Sequence, residues 1–128
     1  MNSEEGTMTM AMSGAIVIVA FLAVAVVGIG TLYAARAQAT NAADAAALAA
    51  AVGTYPPASD LGPLAAAIRA ARANGAEVAE CLCAVNPGLV ARTVEVVTSI
   101  EVDIPIFGPI TVRSAGRAEF DPQRWLGG

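Results

Sequence analysis

Two sets of residues have the types and spacing to do chemistry. Glu95, Glu101 and Asp103 recur at odd positions in one stretch, and Cys81 and Cys83 stand two apart. A pair of carboxylates is the machinery of glycoside hydrolysis. These acids, however, alternate with Val94, Val96, Ile100, Val102 and Ile104. That is the ordinary polar side of a half-buried strand, so the acids read as a solvated face. The chain has no histidine, the commonest general base and transition-metal ligand. It also has no lysine and so no Schiff-base chemistry. The expectation is a protein that is not an enzyme, with no catalytic residue, cofactor, metal site or small-molecule substrate.

The cysteines admit more than one reading. On an extended strand, residues two apart share a face and their α-carbons lie about 6.5–7 Å apart, at or beyond comfortable disulfide geometry. A Cys81–Cys83 bridge therefore needs a turn. Two cysteines fall short of the four ligands of a structural zinc site. A bridge to another chain is available outside the cell. The plainer reading is a pair of small, buried apolar residues.

The elements that must carry these residues begin with one long apolar stretch. The chain has 128 residues, a net charge of -4 and a hydrophobic fraction of 56%. All its positive side chains are arginine, with no basic patch, so nucleic acid is not an expected partner. No charged residue occurs between Glu5 and Arg36. A membrane span needs about 20 apolar residues, since the hydrocarbon core is about 30 Å thick, and residues 11–32 supply that length. The alanine-rich run that follows should continue the helix beyond the lipid, because alanine is the best helix former. The expected organisation is a leader over residues 1–7, a transmembrane and extended helix over 8–52, and a small domain over 53–128.

Past the apolar stretch, Ala35, Ala39, Ala43, Ala47 and Ala51 recur every four residues. On a helix they form a ridge with almost no bulk, suited to close packing against other helices or a sheet. Arg36, Thr40 and Asp44 form a polar ridge one step around. Gly53 and Pro56-Pro57 end the helix. A second helix runs to Asn74, with Ser59 or Asp60 as its cap, Leu61, Leu64 and Ile68 on one face and Gly75 as its stop. From Glu77 onward the period falls to two. Residues 94–104 and 110–120 read as strands joined by a turn over Pro105–Pro109, and residues 77–85 as a third strand. A hairpin symmetric about Phe107 would set Glu101 opposite Arg113, Val102 opposite Val112 and Glu95 opposite Glu119. Residues 121–128 read as a loose end anchored by Trp125. The fold class is α+β.

Arg36-Ala37-Gln38, followed by Asn41-Ala42-Ala43-Asp44 and the alanines around Leu48, comes directly after an N-terminal span. This pattern resembles the TadE/TadG-like pilus-assembly proteins of Tad (Flp-type) systems, and most closely the short actinobacterial TadE-like members. Residues 70–76 with Cys81, and the valine-rich run 94–102, resemble the family's second helix, Asn-Gly turn, cysteine and strand. The resemblance marks Arg36, Gln38, Asn41, Asp44 and Leu48 as motif residues. It implies a pilin-like, membrane-anchored subunit whose partners are the lipid bilayer and other pilin or pilus-assembly subunits. It also implies a single pass at the cell membrane with the C-terminal domain extracytoplasmic. Charge alone points the other way, because Arg36 flanks the C-terminal end of the span. Processed members are cut after a glycine, with glutamate fifth in the mature chain. Gly6 is the matching cut position, but the fifth residue after it is Ala11. Two further readings remain: an anchored binding or sensor domain, and a small secreted protein released by signal-peptide cleavage at Ala35-Arg36-Ala37.

Overall fold

The computed structural model describes residues 3–128, with side chains from Gly6 onward. The helix α1 spans Ser3–Gly53 without a break. At about 1.5 Å per residue it is about 76 Å long. It begins inside the expected leader, so the described part of residues 1–7 is helical. Met1 and Asn2 lie outside the described residues, as do the side chains of Glu4 and Glu5.

Behind α1 come a 3-10 turn, Pro56–Ala58, the helix α2, Pro63–Ala73, and three strands. These are β1, Glu77–Leu82, β2, Arg92–Ile104, and β3, Gly108–Phe120. They form one antiparallel sheet in the order β1-β2-β3. A short helix α3, Pro122–Gly127, ends the chain. The architecture is α+β.

The two halves of α1 have different surroundings. From Gly6 to Tyr33 no residue is buried, whereas Ala35, Ala39, Ala42, Ala43, Ala46, Ala47, Ala50 and Ala51 are all buried. The four-residue ridge packs on the protein's own sheet. Ala35 and Ala39 meet Val112, with Ile100 and Val102 alongside. Further along, Ala46, Ala47, Ala50 and Ala51 join Val94, Val96, Ala118 and Phe120. Rising α1 numbers therefore meet falling β2 numbers, and α1 runs antiparallel to β2. With so little side-chain bulk between them, backbones come close, and stability rests on dispersion across a tight interface. Thr98, fully buried on β2, donates a 2.8 Å hydrogen bond to the Ala39 carbonyl. That bond satisfies a hydroxyl which would otherwise be costly to bury.

The hairpin forms, but in a different register. Ile104 pairs Gly108, Val102 pairs Ile110, Ile100 pairs Val112, and Glu95 pairs Arg117. The centre of symmetry is Ile106, one residue before Phe107. Each partner is therefore displaced by two residues, and Glu101 faces Thr111 while Arg113 faces Ser99. Glu95 escapes Glu119, which pairs Thr93. The cause is the turn. Ile106 (φ 76°) and Gly108 (φ 81°) both take left-handed conformations, and the Phe107 amide donates to the Ile104 carbonyl at 3.1 Å. This closes the hairpin in three residues, with Gly108 already on the strand. A shift of two preserves every in/out assignment, so the alternation of buried residues could not detect it.

Three further expectations are corrected. α2 docks through Pro63, Ala66, Ala67 and Ala71, while Leu61 and Leu64 are exposed. Facing an alanine ridge, only small side chains allow close approach. Its N-cap is Gly62 with Pro63 at the first helical position, so neither Ser59 nor Asp60 caps it. Proline there loses nothing, because that amide has no partner within the helix. The third strand ends at Leu82. The tail is ordered: the Asp121 carboxylate accepts from the Gln123 amide at 3.0 Å and starts α3. Trp125 then sets its edge against Tyr55, 6.3 Å between centroids.

Candidate functional site: the motif face of α1 and the hairpin tip

Arg36, Gln38, Asn41, Asp44 and Leu48, the residues the resemblance marks, are all exposed on α1, while Ala39, Ala42, Ala43, Ala46 and Ala47 between them are buried. Asn41, Asp44, Leu48 and Val52 follow one another at helical spacing and form a stripe facing away from the sheet. Leu48 is 63% exposed. Thr40, at the edge of this face, donates back to the Arg36 carbonyl at 3.0 Å. Its hydroxyl also lies 3.0 Å from that of Ser114 on β3.

Gln38 is the exception, because the fold uses it. Its side-chain amide donates to the Asn74 carbonyl at 3.1 Å. That carbonyl lies in the Asn74-Gly75 turn that ends α2, where Gly75 takes φ 74°. A β-carbon at Gly75 would collide with the Gln38 amide. The motif glutamine and the Asn-Gly turn are thus one device, pinning the end of α2 to α1.

The structure joins Cys81 to Cys83 in a disulfide with α-carbons 5.3 Å apart. Leaving the strand at Leu82 supplies the turn that shortens the extended separation. Both cysteines are half-buried, not fully buried. Arg92 gathers the following loop by donating to the carbonyls of Asn86, Gly88 and Val90.

The carboxylates do not converge. Glu101 and Asp103 are exposed, and Glu95 is held by Arg117 at 2.6 Å. Arg113 reaches Glu80 on β1 at 3.7 Å. Among the described residues, no three histidine, cysteine, aspartate or glutamate side chains gather as metal ligands. Gly6 lies within α1 with open space around it.

Two features escaped the sequence reading. Gly116 on β3 lies so close to α1 that a β-carbon there would fall on the Ala43 carbonyl and within 2.7 Å of the Asp44 amide nitrogen. A glycine inside an alternating strand is the signal for such an approach. The other is the hairpin tip, whose Ile106 and Phe107 stand beside the apolar half of α1. Turns are normally polar, so an uncharged Ile-Pro-Ile-Phe turn was the signal there.

Residues 6–53 match the Tad family model, described as "Putative Flp pilus-assembly TadE/G-like". The resemblance to the TadE/TadG-like proteins is borne out over this segment, which comprises nearly all of α1. The match does not extend to α2 or the sheet. No match was found among curated proteins or among solved structures. The Tad segment is long and apolar enough to cross a membrane, and none of its apolar stretch is buried within the molecule.

Proposed function

We propose that the protein is a membrane-anchored, pseudopilin-like subunit of a Tad (Flp-type) pilus or a related secretion assembly, acting by helix packing and not by catalysis. The observation that carries this reading is the division of labour along α1. Its apolar half has no partner in the molecule and suits lipid. Ala35, Ala39, Ala46, Ala47, Ala50 and Ala51 of its second half are consumed by the domain's own core. The motif side chains Arg36, Asn41, Asp44 and Leu48 are left on the outside. A family pattern kept on an exposed face, where the fold gains little from it, is what a surface for neighbouring subunits requires.

The domain stands on the extracytoplasmic side in this reading. A bridged Cys81–Cys83 supports that side, since disulfides persist in oxidising compartments. The test is a photo-cross-linker placed at Asn41 or Leu48 in cells carrying the Tad system. Cross-links to another pilin or pilus-assembly subunit are expected. Cross-links to lipid alone, or none at either position, would overturn the assembly role.

A further inference from the structure

We propose that the β2–β3 hairpin tip is a second membrane contact, seated in the bilayer surface beside the α1 span. This rests on the reading of α1 as a membrane helix. The tip runs Ile104-Pro105-Ile106-Phe107-Gly108-Pro109-Ile110 and contains no charged residue. Ile106 is 82% and Phe107 79% exposed. These are the most outward large apolar side chains of the domain, and they occur at a turn, where polar residues are the rule.

The tip lies against the apolar part of α1. The Ile104 side chain comes to 3.5 Å from the β-carbon position of Gly28. Ile106 and Phe107 line an apolar groove with Phe21, Val24 and Leu32. Whatever medium surrounds Phe21 and Leu32 thus also surrounds the tip. Continuity with the span selects lipid as the occupant.

The lengths agree. The charge-free run between Glu5 and Arg36 amounts to about 45 Å of helix at about 1.5 Å per residue. The hydrocarbon core needs about 30 Å of it. The surplus leaves room for the C-terminal part of the run to stand at the interface, level with the tip. Polar markers bound that level on each element. Tyr33 and Arg36 follow the apolar run on α1, and aromatic and arginine side chains favour the interface. On the hairpin the first charged residues beyond the tip are Asp103 on β2 and Arg113 on β3. Asp103 faces solvent, which limits entry to the tip itself. A helix with one such lateral contact is held at a set rotation, so the motif face would present in one direction along the membrane.

The test uses the full chain in vesicles of phosphatidylcholine and phosphatidylglycerol, with or without brominated acyl chains. Trp125 is the only tryptophan. In a Trp125→Phe background, Phe107→Trp reports the tip and Phe21→Trp reports the span. Phe107 is largely exposed, so its replacement leaves the fold intact. The expected result is emission at short wavelength from both probes, strong quenching of both by brominated chains, and protection from aqueous iodide. Iodide quenching of Phe107→Trp, with Phe21→Trp still quenched by lipid, would overturn the tip contact and leave the anchor standing. A Phe107→Trp probe shielded from both quenchers would mean that a second protein covers the tip, which also overturns the proposal. Loss of lipid quenching at Phe21→Trp would overturn the anchor reading and the tip with it.

Discussion

Gly116 packs directly onto the backbone of Ala43. A β-carbon at Gly116 would fall on the Ala43 carbonyl, and an approach this close explains why the helix is alanine where it meets the sheet. A side chain on either partner must push the two layers apart. Gly116→Val and Ala43→Leu should each destabilise the domain by about 1–3 kcal/mol, the range for overpacking a tight interface. Thermal unfolding of the full chain in detergent measures it. Leucine is nearly as good a helix former as alanine, so α1 should stay helical while the domain loosens. Unchanged melting in both variants would mean that the interface is not close-packed.

The hairpin register gives a second expectation. Glu95 and Arg117 are direct cross-strand partners, 2.6 Å apart. Arg117 is largely exposed and Glu95 partly so, so a double-mutant cycle with Gln at each position should return a few tenths to about 1 kcal/mol of coupling. The same cycle on Glu101 and Arg113 should return none. Coupling in the second pair and not the first would restore the register centred on Phe107.

That register also marks a limit of sequence reading. The alternation of Val94, Val96, Thr98, Val112 and Ala118 assigns faces and is blind to a shift of two. The deciding fact was the conformation of Ile106, because left-handed backbone at a β-branched residue is not an assignment local preference would make. The single long helix that joins an apolar run to the domain was legible from charge and alanine content. The docking face of α2 was not. Leucines are expected inside, but Ala67 and Ala71 are buried because the facing ridge admits only small side chains. The residues of the pattern could be picked out by resemblance, but not their tasks. Only the turn at Asn74 reveals that Gln38 serves the fold while Asn41 and Asp44 do not.

Ile106 itself supplies a third prediction. A left-handed L-residue costs about 1–2 kcal/mol, and asparagine tolerates the conformation better. Ile106→Asn should leave the domain in detergent as stable as the parent, or slightly more so, while weakening lipid quenching of the Phe107→Trp probe. Melting and quenching on the same samples separate the two effects. A large loss of stability in detergent would mean that Ile106 is a packing residue and not a lipid contact.

The Cys81–Cys83 bridge closes a very short loop. Reduction should therefore cost the fold no more than about 1–2 kcal/mol. The purified protein should resist thiol alkylation until reduced. Immediate labelling of both cysteines would show free thiols and remove the bridge as support for an extracytoplasmic domain.

The central claim is that the apolar run of α1 stays joined to its alanine-rich half, serving as membrane anchor at one end and domain core at the other. The mass of the mature protein, measured in membrane and soluble fractions, tests it most directly. The account predicts a membrane-bound species that keeps the apolar run, with its N-terminus either intact or at Thr7 after cleavage at Gly6. A soluble species beginning at Gln38, following cleavage after Ala37, would contradict it.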